Sequence, residues 1–231
     1  MKIVTVACGE KYRHMIEPFV NSAYRAGYDP VVWTDMNIPG TYKVEFTYRG
    51  DKVRDMLTKC MLWADAVKEY GECLLMDVDM VIMGRIELPD ADVVYTVDKR
   101  FSPQWDYVNG GFLYCRKHWF MDDLVAQIAT TDMERAVKKP YMSVDQMAFQ
   151  QMIGFTPGHM RYTYKGLDVV GVPCDVYNHY DDDKPLKPGC KVLHYKNRWQ
   201  GGRMPRRDKM DIISGYLDAP LRGEDILVPK G

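Results

Sequence analysis

The chain has 231 residues, 46% of them hydrophobic and 27% charged, and its 31 Lys and Arg against 32 Asp and Glu give a formal net charge of -1. That length supplies a full hydrophobic core, and the composition is that of a soluble globular protein rather than a disordered or fibrous one. A near-neutral balance gives no reason to expect nucleic acid or an anionic membrane surface as the main partner, so any phosphate-binding patch has to be local.

Residues 2–7 form a β-rich apolar run that stops at Cys8-Gly9. Over residues 12–27 the side chains Ile16, Phe19, Val20, Ala23 and Tyr24 recur at helical spacing, with Gly27 as the C′ residue. Strand, tight turn and helix open a nucleotide-binding α/β domain, and Pro-Val-Val-Trp-Thr at 30–34 supplies the second strand, set beside the first by a right-handed crossover. Residues 36–54 read as irregular, with a turn at Pro39-Gly40 and a weak alternation over 43–48. Asp55 reads as the N-cap of a helix that carries Met56, Leu57, Cys60, Ala64 and Val67 and ends at Gly71.

Next comes CLLMDVDMVIM, residues 73–83, in which two short apolar strands flank Asp77 and Asp79. In extended backbone, carboxylates two residues apart leave on the same side, a few ångströms from each other. Such a pair is unfavourable in low dielectric unless protons or a cation neutralise it, and a divalent metal with oxygen ligands is the simplest remedy. A bare Asp-x-Asp is usually only a strand end with solvated acids. The apolar flanks argue for a metal site at the carboxyl end of a central strand.

Further strands are expected at 92–97 and 111–115, separated by an aromatic, polar loop from 98 to 109. A helix follows over 117–129, and Ser143 with Gln146 forms a capping box that opens a helix to about Ile153. Residues 168–172 and 190–194 read as two more short strands, with Asp181-Asp182-Asp183 between them as a solvated turn. The whole reads as one domain, 1–231, in which 196–231 is a wrapping basic tail or lid. Cys8, Cys60, Cys73, Cys115, Cys174 and Cys190 are scattered without a CxxC pair, which points to a reduced, cytoplasmic chain. The run Met1 to Ala7 is too short for a signal peptide and no apolar stretch approaches ~18 residues, so neither export nor a membrane span is expected.

Six segments then fall in one order: Val4-Thr5-Val6-Ala7-Cys8-Gly9-Glu10-Lys11-Tyr12, Leu57-Thr58-Lys59-Cys60-Met61-Leu62-Trp63, Met76-Asp77-Val78-Asp79, Asn109-Gly110-Gly111-Phe112-Leu113, Asp145-Gln146, and Val192-Leu193-His194-Tyr195. Together they resemble the family 8 retaining glycosyltransferases, the glycogenin and lipopolysaccharide galactosyltransferase group. The resemblance implies an α/β GT-A fold, with a Rossmann-like mixed central sheet flanked by helices. It implies that Tyr12 stacks on uracil with Ala7 beside the nucleoside, that Lys59 reaches the donor site, and that Asp77, Asp79 and His194 hold the metal. It also implies that Asn109 and Gly110 line the sugar site, where Asp145 grips donor hydroxyls and Gln146 lies near the β-face of the anomeric carbon. The chain departs from the family after His194, where it reads Lys196-Asn197-Arg198-Trp199-Gln200-Gly201-Gly202 in place of a glycine and Lys-Pro-Trp. Lys196 and Arg198 are assigned to the diphosphate clamp in their stead.

Each of these residues has a plainer reading. A lone histidine ending an apolar strand is commonly a buried or capping residue, and becomes a natural third ligand only beside the two acids. Two carboxylates and an imidazole leave positions for diphosphate oxygens and suit Mn²⁺, with Mg²⁺ as the alternative, better than a closed zinc site. Tyr12 covers the core edge or stacks on a base. Lys59 snorkels from its helix or meets the donor. Asp145 and Gln146 serve the helix cap and dipole, or the sugar, and the basic tail is a solvated segment or a lid over diphosphate. The expected activity is transfer of a hexose, glucose or galactose, from a UDP-sugar to a hydroxyl of a glycan, protein or small-molecule acceptor. The alternative is an inactive sugar-nucleotide-binding or scaffold protein of the same fold. A nucleotidyltransferase would need a Gly-rich phosphate loop, of which Cys8-Gly9-Glu10-Lys11 is a poor version.

Overall fold

Apolar and β-branched runs form most of the strands of the computed structural model, beginning with KIVTV in β1 (Lys2–Val6). Helix α1 (Arg13–Arg25) follows, then β2 (Pro30–Thr34), the two-residue β3 (Tyr42–Lys43), α2 (Lys52–Tyr70), β4 (Cys73–Met76) and β5 (Met80–Ile82). The chain continues through β6 (Val93–Asp98), β7 (Tyr107–Cys115), α3 (His118–Thr130), α4 (Val144–Ile153), β8 (Arg161–Tyr164) and β9 (Leu167–Pro173), and then α5 (Cys174–Tyr177) and β10 (Val192–His194). The structure describes residues 1–46, 52–98, 107–131, 143–179, 186, 188–195 and 215, the side chains of 52 and 53 excepted. They group into two compact units, one of Lys2–Thr47, Met76–Ile86 and Asp175–Gly231, the other of Met1, Tyr48–Leu75 and Glu87–Cys174.

In the first unit the strand order is β3-β2-β1, all parallel, with Val4 beside Val31 and Trp33 beside Tyr42. β5 and β10 form a separate antiparallel ribbon. Helix α1 turns Met15, Ile16, Phe19, Val20 and Ala23 inward and packs on β2 and β5. The Ser22 hydroxyl accepts from the Ile82 N–H at 3.0 Å, which ties the helix to the ribbon. Its end is a Schellman turn: Gly27 N–H donates to Tyr24 and Tyr28 N–H to Ala23.

The second unit holds strands in the order β4-β7-β6-β9-β8, with β6 parallel to β9 and the β6–β7 and β8–β9 pairs antiparallel. Helices α2, α3 and α4 pack on one another, and α4 lies on β7. The core between them is aromatic. Phe149 of α4 sits with its ring centroid 5.0 Å from Tyr95 and 5.7 Å from Phe120. All six cysteines are buried and free. Among the described residues no helix is long and apolar enough to cross a membrane.

The α/β architecture with a mixed sheet and flanking helices agrees with expectation, as do β2, β4 and α4 with its capping box. Other elements differ. Helix α2 starts at Lys52, so Asp55 is a first-turn acid favoured by the helix dipole rather than the N-cap. β7 starts at Tyr107 and not at 111, because Tyr107 and Val108 are buried and pair with Asp98 and Val97, so Asn109-Gly110-Gly111 lies inside a strand. There Asn109 faces Thr96 while Leu113 faces Tyr95, which leaves Gly110, Gly111 and Phe112 bulged without counterparts on β6. β8 and α5 had no expectation. The apolar alternation of RYTY is broken by its half-exposed edge position.

Candidate functional site

β4 ends at Met76, and Asp77 to Asp79 form the turn into β5. The turn, rather than an extended backbone, therefore sets how the two carboxylates approach. β10 lies antiparallel to β5 with His194 opposite Met80, the residue after Asp79. That register carries the imidazole across the whole intervening sequence to the acids, and the Tyr195 N–H donates to the Asp79 carbonyl at 3.0 Å to lock it. One ligand atom from each of Asp77, Asp79 and His194 falls within 4.8 Å of the others. His194 Nε2 lies 3.1 Å from Asp79 Oδ1, with the histidine buried and Asp79 nearly so.

The other ring nitrogen explains how the histidine is aimed. Nδ1 lies 2.8 Å from the side-chain oxygen of Asn178, a residue with no exposed surface. An amide oxygen only accepts, so Nδ1 donates to it, and Nε2 is the ring nitrogen turned toward the Asp79 carboxylate. A divalent cation at this point would take the ring nitrogen and the carboxylate as ligands together. Two carboxylate oxygens and an imidazole nitrogen fit a divalent metal ion, with coordination positions left over. Asn178 carries no sequence signal. The segment that holds it runs beside β10, with the His194 N–H donating to His179 O at 2.8 Å and the His179 N–H to Val192 O at 3.0 Å.

In the same unit, Ala7 is fully buried, its N–H given to Trp33 O at 2.9 Å and its carbonyl accepting from Thr34 Oγ1 at 2.7 Å. It presents a flat, spent backbone rather than free donors. Gly9 follows at φ +93°, a left-handed turn that a side chain would strain, and its N–H donates to Asp35 Oδ1 at 2.8 Å. Burial, with the Asp35 carboxylate adding to it, pushes the Cys8 thiol up to about 12, so Cys8 is a neutral packing residue and no nucleophile. Half-buried Tyr12 ends a short 3₁₀ turn, and Lys11 Nζ stands 4.7 Å from its ring centroid.

The second unit has a pocket lined by Asn109, Gly110, Asp145 and Gln146 together with Cys60, Trp63, Tyr95, Val108, Phe112, Leu113, Leu124 and Phe149. Its cavity volume is about 20 Å³, room for about one water. Asp145 and Asn109 are buried. The Ser143 hydroxyl donates to Asp145, the Gln146 side-chain oxygen accepts from the Ser143 N–H at 3.1 Å, and the Gly111 N–H donates to Asn109 Oδ1 at 3.0 Å. The capping box thus orients the two polar side chains it brings to the pocket. A Cβ on Gly110 would stand 2.6 Å from Asp145 Oδ2, so the glycine is what admits that carboxylate. Lys59 is elsewhere: its Nζ lies 4.0 Å from the Trp63 ring centroid, one helical turn along α2, and the lysine does not line the pocket. Lys196, Arg198 and the rest of the basic tail lie outside the described residues, Gly215 apart.

No protein-family model and no curated protein sequence matches the chain. Solved structures do. The glycosyltransferase GlyE of Streptococcus pneumoniae TIGR4, in two crystal structures of which one is the apo form, aligns with a TM-score of 0.61 and 15% identity over 95% of this chain and 60% of its own. The chain therefore spans about 60% of the length of GlyE. A glycosyltransferase involved in the glycosylation of the major capsid of PBCV-1 aligns with a TM-score of 0.56 and 12% identity over 91% of this chain and all of its own. The fold is that of the GT-A-like glycosyltransferases.

Proposed function

We propose that the chain is a metal-dependent glycosyltransferase of the family 8 kind, moving a hexose from a UDP-sugar to a hydroxyl of a glycan, protein or small-molecule acceptor with retention at the anomeric carbon. The observation that carries this reading is the Asp77–Asp79–His194 cluster, set on a fold shared with glycosyltransferases. In this reading the three side chains hold Mn²⁺ or Mg²⁺, which supplies charge neutralisation to the diphosphate leaving group. Asn178 keeps the imidazole turned to that task.

Tyr12 offers a ring to uracil above the closed backbone of Ala7, and Asp145, Gln146, Asn109 and Gly110 take the hexose. Lys59 is assigned to the donor through its place on α2 beside Trp63, and Lys196 and Arg198 to the diphosphate. The anomeric C–O bond to phosphate breaks as the acceptor oxygen bonds to the same face of the sugar, and the acceptor proton passes to the departing phosphate. Asp145, which accepts from the Ser143 hydroxyl and packs against Gly110, is assigned to the donor hydroxyls.

The test is calorimetric titration of UDP with and without Mn²⁺, followed by a measurement of UDP released from UDP-sugars. Binding that requires the metal, with slow release of UDP, is expected. Metal-dependent binding that leaves every donor intact would make the chain a sugar-nucleotide-binding protein instead, and metal-independent or absent binding would end the reading.

A further inference from the structure

The turn after β1 and the end of β2 lie side by side at the carboxyl edge of parallel strands, where α/β sheets take their ligands. The backbone there is closed on itself. Ala7 gives its N–H to Trp33 O and accepts from Thr34 Oγ1, and that hydroxyl in turn accepts from the Met36 N–H at 3.1 Å. Gly9 gives its N–H to Asp35 Oδ1 at 2.8 Å, and its carbonyl accepts from the Tyr12 N–H at 3.0 Å. The side chains of Glu10 and Arg13 are taken up with each other at 2.6 and 2.7 Å. Asp35 keeps an acceptor available: it is half-buried, it holds Gly9 through Oδ1, and among the described residues Oδ2 meets no donor.

Gly9 holds the carboxylate through its N–H and Tyr12 through its carbonyl, so carboxylate and ring hang on one turn of chain. A base lying on that ring turns its hydrogen-bonding edge to the rim, and with the Ala7 and Gly9 backbone groups occupied a side chain has to read it. Resting on the assignment of Tyr12 and Ala7 to the nucleoside, we propose that Asp35 selects the base, with Oδ2 accepting the N3–H of uracil. A carboxylate accepts and does not donate, so it repels the N3 of cytosine and the N1 of adenine, which are bare acceptors. Guanine offers two parallel donors that pair with both oxygens of a carboxylate, and here Oδ1 is already committed to Gly9. The neighbouring hydroxyls of ribose make the same double demand. One available oxygen matches one imide N–H.

Calorimetry in Mn²⁺ with UDP, CDP, GDP and 2′-deoxy-UDP tests this, because the shared diphosphate and its metal cancel in the ratios of affinity. UDP is expected to bind about 10–100-fold tighter than CDP or GDP. Asp35→Asn keeps an oxygen for the Gly9 N–H and presents an NH2 in place of Oδ2, which suits cytosine N3 and not uracil N3–H. It is expected to lower the ratio of UDP to CDP affinity about 10–100-fold and to leave the ratio of UDP to 2′-deoxy-UDP unchanged. Asp35→Ser, which also removes the carboxylate and is expected to lose the preference for UDP, decides the matter should Asp35→Asn melt early. Wild-type protein that binds UDP and CDP alike, or a UDP-to-CDP ratio unmoved by the substitution, overturns the proposal. A change in the 2′-deoxy-UDP ratio instead gives Asp35 to the ribose and overturns it too. In each of these outcomes UDP still binds and the glycosyltransferase reading stands, whereas failure of UDP to bind the wild-type protein removes that reading and this inference with it.

Discussion

Gly110→Ala adds one methyl group where the structure has no room for it. The new Cβ would lie 2.6 Å from Asp145 Oδ2 and 3.2 Å from Gln146 Cγ. Gly110 does not sit at positive φ, so the backbone tolerates alanine and the effect is steric. Ordinary contact begins near ~3.5 Å, so the Asp145 carboxylate has to retreat by about 0.9 Å, against its hydrogen bond from Ser143. Overpacking of this kind costs about 1–3 kcal/mol, of which the lower chain entropy of alanine returns ~0.5–1. A loss of about 1–2 kcal/mol lowers Tm by roughly 2–8 °C in a chain of this size. The effect on turnover is larger, because a displacement near 1 Å costs about 100-fold when the displaced group positions substrate.

The assay is Mn²⁺-dependent UDP release, read beside the Mn²⁺ affinity and the melting curve. We expect kcat to fall about 100-fold with the metal affinity unchanged. Gly84→Ala is the control, since its Cβ would meet only Lys191 Cδ at 4.0 Å. A Gly110→Ala protein that melts early yet turns over within about twofold of wild type would refute the placement of Asp145 at the sugar.

Asp79→Asn is expected to reduce Mn²⁺-dependent UDP affinity about 100-fold while leaving Tm unchanged or slightly raised, because one of two repelling carboxylates is gone; early melting with intact UDP affinity would make the pair structural. Asn178→Ala, followed by Mn²⁺ titration and a melting curve, is expected to weaken the metal about 10–100-fold, whereas Asn178→Asp still accepts from Nδ1–H and retains more of it. Wild-type affinity in the alanine variant would dismiss the orienting role. Burial pushes the Cys8, Cys73 and Cys115 thiols up to about 12 from an ordinary value of 9.0. Their folded pKa values lie above the unfolded one, so the stability tied to the protonated thiols is complete below pH 9 and is lost as pH climbs toward 12. The slope is about 1.4 kcal/mol per pH unit for each thiol. Urea midpoints should drop steeply above pH 9, and a flat profile to pH 10.5 would contradict the burial of these thiols.

Much of the local structure follows from residues near one another in sequence. Gly27 and the apolar positions of α1, the Val-Val-Trp run of β2, and the Ser143–Gln146 box each specify their own element, because caps and periodicity act over a single turn or strand. The acids 77 and 79 announce a cation by their apolar setting alone. The bulge at Gly110 did not announce itself: a glycine pair reads as a turn until a neighbouring strand shows that the chain continues through it.

The metal cluster divides along the same line. By itself the sequence determined which side chains have the chemistry for a divalent ion, since charge and ligand type belong to single residues. Only the tertiary structure decided that His194 joins them, through the pairing of β10 with β5, and that Asn178, which no pattern marks, fixes which ring nitrogen faces the acids. The physical reason is that periodicity and capping are short-range, whereas a strand register and a buried hydrogen bond between distant residues depend on segments that meet only once the chain has folded.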